Sequence, residues 1–521
     1  MKINRLFYNY NTICCLVFLI IGLILIIAIK NYPIGDFGNY YYGSKIYLEG
    51  NFTIENYKSI AHFNNQINAF CEINFFENYI PVPPFSLLFY LPFTIFKSIV
   101  SKLIFNVLSL VFFCFSLNKI LKLLQVKGWL ILLLPLVFLF TLYNNIIQGQ
   151  TYLLIISLLM EAFIASEKNK TLLASFLVAI CICLKIFPVI ILIYFLFKKK
   201  YKIFVFTVVI SLLFYIITAY KTNLEMVKYY FTDIVPRLLN NDIVGAYYYG
   251  NQSIYSMLLN LFSFDGLVNI HPIVNNPTLL ICLESICVSL IIYSLLQLRK
   301  IDSFVLFGMC LFINILIGRY NTTYGMIVLA PFIVSIVKLS NTKKGTAAIL
   351  ACFLIALNIP IVSLSNYPIL IQYIKLLLLL VGYIIFVNQH KVKFNYRMPV
   401  VLFGAIFLLK YTSFLIIPAK YYNIQNTKGI LYDYKISNDT LVLYSTNGDK
   451  SHRELFRNKD YIKEDTNIML KNNLIYYKSK LLCGTKDNKM NAKLFNDSSI
   501  IFMSDLNQGV RFYKLRIIPI K

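Results

Sequence analysis

The chain has 521 residues, 58% of them hydrophobic, with a mean hydropathy of +0.68. So much apolar surface excludes soluble enzyme folds, because only a bilayer can solvate it. The 49 Lys and Arg against 23 Asp and Glu leave a net charge of +26; these residues cluster in short loops between apolar runs, as the positive-inside rule expects, so no nucleic-acid partner is predicted.

Lys2 and Arg5 precede the first apolar run, 12–29, and put the N-terminus on the cytoplasmic side. The run is too long for a signal-peptide core, and Ile29-Lys30-Asn31-Tyr32 offers no small-residue cleavage site, so it is expected to stay as the first helix. A first outer loop follows over 31–81, in which residues 36–49 are expected to form an amphipathic helix on the membrane surface. The stretches 85–96, 103–117, 130–142 and 152–164 have the wrong parity for four full spans between that loop and the inner Lys168–Lys170. One of them is expected to be re-entrant or half-length, which is tolerated where protein or a water cavity covers the backbone.

Lys198-Lys199-Lys200-Tyr201-Lys202 is the strongest inside marker. From it the runs 203–219, 279–298, 303–318, 346–364 and 399–418 alternate between basic inner clusters, interrupted only by Glu284 and Lys410. This leaves a large outer loop over 221–275 and an exit near Pro418. A crossing takes roughly 20 apolar residues, so the pattern predicts an all-α polytopic bundle of about 12–14 membrane segments over 1–418, set in the plasma (inner) membrane. Beyond it, 419–521 alternates at period two in stretches such as Thr440-Leu-Val-Leu-Tyr and Ser499-Ile-Ile-Phe-Met, with Asn447-Gly448 and Gln508-Gly509 as turns. That pattern predicts a small, mostly β exoplasmic domain.

The eleven cysteines have no metal spacing. Cys71 and Cys483 both fall outside the predicted spans, which leaves a disulfide between them open. His62, His271, His390 and His452 are scattered and form no ligand set, so no metal-ligating residues are predicted.

Charged groups beside lipid are costly, and their positions are informative. Asp36 stands just past the first helix, where a carboxylate can meet a lipid head group and a water-soluble acceptor together; it can equally be an N-cap for the helix after it. Glu284, alone in an apolar run, makes a poor proton relay, and Tyr247-Tyr248-Tyr249 can either stack on a sugar or form an interfacial belt.

Asp36-Phe37-x-x-Tyr40-Tyr41 with Gly43-Ser44 resembles the opening motif of the polyprenol-phosphate-mannose-dependent mannosyltransferases, glycosyltransferase family 87. In the same order come Pro83-Pro84 with Leu91-Pro92, Gly149-Gln150 with Leu153-Leu154, Leu184-Lys185-Ile186-Phe187-Pro188, and Val235-Pro236 with Asn251-Gln252-Ser253. The resemblance covers residues 30 to 330 and leaves the C-terminal domain out. It implies the membrane fold called GT-C, an exoplasmic active site with Asp36 as general base, a polyprenyl-phosphate sugar as donor and inversion at the anomeric carbon. The acceptor would be an exoplasmic glycan or glycolipid, and no cofactor is implied.

A lipid-phosphate leaving group calls for fixed cations. Lys185, Arg319 and Arg237 are the candidates for the donor phosphate, against readings of Lys185 as a snorkelling lysine and Arg319 as an interfacial anchor. By the resemblance Tyr40, Tyr41, Gln150, Asn251 and Gln252 fall at the substrate. The chain departs from the family in having Val82 before Pro83-Pro84 and Arg319-Tyr320-Asn321-Thr322-Thr323-Tyr324 where Trp and His are usual, so Arg319 or Tyr324 would take over the donor contact of the missing histidine. Two other classes compete: a transporter or flippase of lipid-linked glycans, which should show paired halves, and a ligase or polymerase, which would place its main outer loop later.

Overall fold

A computed structural model describes residues 2–58, 60–70, 77–240, 247–263, 269, 272–319, 321–339, 345–364, 367–390 and 397–414, followed by a set of strands between 422 and 520. Cys71 and the side chain of Cys483 lie outside the described residues, as do the turns at Asn447-Gly448 and Gln508-Gly509.

The long apolar runs form helices because nothing in them competes for backbone hydrogen bonds. Among the described residues four helices are long and apolar enough to cross a membrane: Tyr10–Ala28, Ser98–Leu123, Tyr201–Lys221 and Pro277–Leu298. A fifth is added if Trp129–Val137 and Leu139–Gln148, bent by 42° at their junction, count as one broken span. Thr171–Leu184, Phe187–Phe197, Ser303–Ile317, Tyr324–Leu339, Thr346–Asn358 and Ile374–Gln389 are apolar but shorter. The expectation of about 12–14 segments therefore meets a bundle of fewer full-length and several short helices. An apolar run is not always one helix: 346–364 stops at Asn358, two residues before Pro360, and Phe187–Phe197 starts at a break next to Pro188. In the stretch whose parity was wrong, Phe85–Phe89 and Leu91–Ile95 are two turns of five residues each, split at Leu91-Pro92.

Burial ranks the helices. Ser303–Ile317 buries 12 of its 15 residues, whereas Tyr201–Lys221 buries five of 21, so the first is central and the second peripheral. The central helix packs closely on Ala330–Leu339: a Cβ on Gly308 would stand 2.6 Å from the Phe332 backbone.

The segment expected as the first outer loop, 31–81, is folded over its described residues. Its helix Phe37–Leu48 has the predicted position but not the predicted setting: eight of its 12 residues, including Tyr40, Tyr41 and Tyr42, are buried in protein. Three consecutive tyrosines leave no wide polar face, and the helix packs into the bundle. The described residues of 221–275 include the helices Leu224–Tyr229, Val235–Asn240 and Ile254–Phe262.

The last helix is Arg397–Phe414, and strands begin at Tyr422. One sheet runs in spatial order Tyr422–Asn423, Lys514–Pro519, Ser499–Ser504, Lys489–Phe495, Ile462–Lys463; two three-stranded meanders are Ile430–Ser437 to Ser451–Arg457 and Ile468–Lys471 to Lys480–Cys483. All described pairs are antiparallel, the arrangement that suits alternation with one wet face. Ile475, Ile500, Phe502 and Ile518 form its core.

Candidate active site

Asp36 is set by two glycine turns pressed together. Gly35 has φ +62°, and a Cβ there would stand 2.8 Å from Gln148 Oε1; Gly149, also at φ +62°, ends the helix Leu139–Gln148. Both need the left-handed conformation that glycine adopts without strain. The Asp36 backbone N–H donates to Gln148 Oε1 at 3.4 Å across this contact. Buried Lys102 ties the turns from behind, donating to the carbonyls of Pro33 at 2.7 Å and Ile147 at 2.6 Å.

Asp36 precedes the helix Phe37–Leu48 but makes no side-chain capping bond. That disposes of the capping alternative. Its carboxylate accepts instead from the Gln150 amide and the Tyr324 hydroxyl, with the Lys185 ammonium close enough to act on its charge. Burial raises the Asp36 carboxyl above the usual carboxylate range, against the opposing pull of Gln150, Lys185, Tyr324 and Lys102. Buried Glu77 is pushed well up, first by desolvation and then by the Asp36 charge.

Gln150 connects the neighbours: its Oε1 accepts from Lys185 Nζ at 3.3 Å and from the Tyr40 hydroxyl at 3.5 Å. Lys185 lies in extended backbone where Thr171–Leu184 stops before Pro188, and its Nζ stands 4.4 Å from the centre of the Tyr152 ring. Tyr40 is held by stacking on Tyr90, ring centres 4.7 Å apart.

Arg319 comes from the far side. The segment after Gly318 is gripped by Asn251, whose Nδ2 donates to the Arg319 carbonyl at 2.6 Å and whose Oδ1 accepts from the Asn321 N–H at 2.7 Å. The Gln252 N–H donates to the Asn321 carbonyl at 3.0 Å. The guanidinium lies 4.2 Å from the Tyr255 ring centre, with Nε 3.7 Å from Glu284 Oε1. Glu284 also accepts Lys410 Nζ at 2.5 Å.

These groups share one cavity of about 800 Å³. Of the residues singled out from the sequence, Asp36, Tyr40, Gln150, Lys185, Arg319 and Tyr324 line it. Four do not. Tyr41 is buried with its hydroxyl on the Phe96 carbonyl at 2.8 Å. Arg237 is buried against Asp233 at 3.3 Å. Asn251 and Gln252 stand behind the wall, shaping the segment that carries Arg319. Lys410 and Lys102 were not among the site candidates; Lys410 stood out in the sequence only as a charge interrupting an apolar run. Among the described residues no three His, Cys, Asp or Glu side chains gather as a metal site.

The bundle of apolar helices thus encloses a cavity lined by a carboxylate and by the cations Lys185, Arg319 and Lys410. Residues 82–317 match the family model of glycosyltransferase family 87, the family that the order of the motifs resembles, and that family implies a membrane glycosyltransferase. No curated protein and no solved structure matches the chain. Asp36, Arg319, Tyr324 and Lys410 fall outside the matched range and are joined to it by the fold.

Proposed function

We propose that the protein transfers a mannose-like hexose from a polyprenyl-phosphate carrier to an exoplasmic acceptor glycan or glycolipid, with Asp36 as general base. The observation that carries this reading is the Asp36 carboxylate: it is not used as a cap, and it faces the same cavity as Lys185 and Arg319. An acceptor hydroxyl in the cavity gives its proton to Asp36 as its oxygen bonds to the anomeric carbon. The bond from that carbon to the phosphate oxygen breaks, and the electron pair leaves with the polyprenyl phosphate. Lys185 and Arg319 oppose the charge growing on that phosphate. Attack from the Asp36 side with departure on the opposite face inverts the centre. Tyr152 and Tyr324, ring centres 5.6 Å apart, supply aromatic faces against which a sugar ring can lie.

A carboxylate raised above its usual range is a better proton acceptor near neutral pH than an ordinary one, which supports the assignment. The test is incubation of membranes with labelled polyprenyl-phosphate sugars, with wild-type protein and with Asp36→Asn. Label should move to an acceptor only with the wild type. Transfer by both, or by neither with any such donor, rejects the reading.

A further inference from the structure

We propose that Glu77 is the proton partner of Asp36: the two carboxyls act as one pair holding a single negative charge, and Glu77 releases a proton when Asp36 accepts one from the acceptor. The inference rests on Asp36 being the base of the transfer. The Glu77 backbone is pinned by Asn64, whose Oδ1 accepts the Glu77 N–H at 2.9 Å and whose Nδ2 donates to the Glu77 carbonyl at 2.8 Å. Next to it the Asn78 N–H donates to Asn39 Oδ1 at 2.8 Å. These bonds lay the Glu77 carboxyl on Gly38, two residues after Asp36, so closely that a Cβ on Gly38 would collide with its Oε1. Glu77 is not among the residues lining the cavity, so it acts through Asp36.

The two acids are provided for unequally. Asp36 has the Gln150 amide, the Tyr324 hydroxyl and the Lys185 charge. The Glu77 carboxyl has no hydrogen-bond partner among the described residues, and the residue is only 6% exposed. A charge without donors in such a place is costly, so the negative charge resides on Asp36 and the proton on Glu77. The charged groups that reach Glu77 are Asp36 and, from the helix Ser98–Leu123, Lys102. The helix Ile60–Asn68 presents Asn64, and its His62 is engaged by Gln66 at 3.2 Å. Lys102 also acts on Asp36, so one cation faces both acids. Groups linked in this way titrate as a pair.

When the acceptor proton moves to Asp36, the charge that kept Glu77 neutral disappears while Lys102 stays. Glu77 becomes the more acidic member and gives its proton to water. The pair carries one negative charge before and after, so bond formation does not strip Lys102 of its counter-charge. After the products leave, Asp36 gives up its proton and Glu77 takes one back, and each new glycosidic bond has freed one proton. A packing role would need less, because glutamine has the same outline and would fill the space on Gly38 as well.

The experiment follows the protonated Glu77 carboxyl by infrared spectroscopy of the purified full chain, with isotope-labelled glutamate to separate it from aspartate, and sets it beside turnover. In the wild type a protonated glutamate carbonyl band should persist at neutral pH, and Glu77→Gln should remove it. In Asp36→Asn the same band should disappear at a pH lower by about one unit or more, the coupling at which two groups titrate as a pair. The direction follows from the neighbour's sign, since removing a negative charge eases the ionisation of Glu77. With a labelled polyprenyl-phosphate sugar, Glu77→Gln should lower kcat about tenfold with little change in KM, and Glu77→Asp should recover part of the loss. A band that titrates at the same pH with and without Asp36, or a Glu77→Gln kcat within about threefold of wild type, overturns the proposal. Should Glu77→Gln fail to fold, the labelled band in wild type and Asp36→Asn decides alone. If the coupled titration holds while no polyprenyl-phosphate sugar is turned over, the transfer reading fails and the acid pair stands. If transfer depends on Asp36 while the band ignores it, the pair falls and the base stands.

Discussion

Replacing Asp36 by Asn isolates the charge from the shape. Asn has the same outline, and its Oδ1 can still accept the Gln150 amide that now reaches the carboxylate. The two glycine turns and the Lys102 bonds behind them are untouched. What disappears is a base, and general-base catalysis contributes about 10²–10⁴-fold. At about 1.4 kcal/mol per tenfold, the barrier rises by roughly 3–5 kcal/mol. The assay is kcat/KM of the purified protein with a labelled polyprenyl-phosphate sugar, taken across pH. Because burial raises the Asp36 pKa, wild-type activity should fall as pH drops through a value above the ordinary ~3.9 of aspartate. Stability runs the opposite way. A raised folded pKa means that folding disfavours the charged form. Wild type and variant should match in stability at pH below the unfolded value. The difference then grows in favour of the variant as pH rises through the folded value, so at neutral pH Asp36→Asn should melt no lower than wild type. Turnover within about threefold of wild type would refute the argument, given the range expected for a lost base. So would an acid limb at the ordinary aspartate value.

Three further outcomes are expected. Asn251→Ala removes the acceptor of the Asn321 N–H and one donor to the Arg319 carbonyl, which keeps the Ser253 hydroxyl at 3.3 Å; at about 1–3 kcal/mol for the buried N–H left unpaired, it should lower the melting temperature and raise KM for the donor, and wild-type donor kinetics would show that Arg319 does not depend on this grip. Gly149→Ala puts a Cβ 2.6 Å from that of Phe37 in a left-handed backbone, costing about 1–2 kcal/mol in conformation alone; transfer should drop more than expression, and unchanged kcat would separate the Gly149 turn from the site. A reporter fused at Lys521 should behave as exoplasmic, and truncation after Pro418 should harm acceptor choice or stability more than donor cleavage; cytoplasmic reporter activity would invert the topology inferred from the basic loops.

Much of the local architecture was legible because its causes are local. The period-two stretch at Thr440 became Thr440–Thr446, and the one at Ser499 became Ser499–Ser504, since alternation is a property of consecutive residues. The Lys185 break was legible for the same reason: a proline close after a helix forbids its continuation. The setting of Phe37–Leu48 was not. Whether a tyrosine-rich helix lies on lipid or inside protein depends on partners such as Tyr90, which no window around residue 40 contains. The roles of Asn251 and Gln252 were hidden likewise. Their motif marked the spot as special, but only the path of the chain from Gly318 to Asn321 shows that they hold the wall instead of facing the cavity.

The sequence alone determined that this chain is a helical membrane protein with a strand-rich C-terminal part, and the order of its motifs pointed to its family. Hydropathy, alternation and helix breaking act over one turn to one span of chain, and they can be read without knowing the fold. Only the tertiary structure decided which charges meet: Asp36 with Gln150, Lys185 and Tyr324, and Glu284 with Arg319 and Lys410. Inside a low-dielectric bundle the energy of such a group is set by whatever lies within a few ångströms of it, and those neighbours come from helices far apart in the chain.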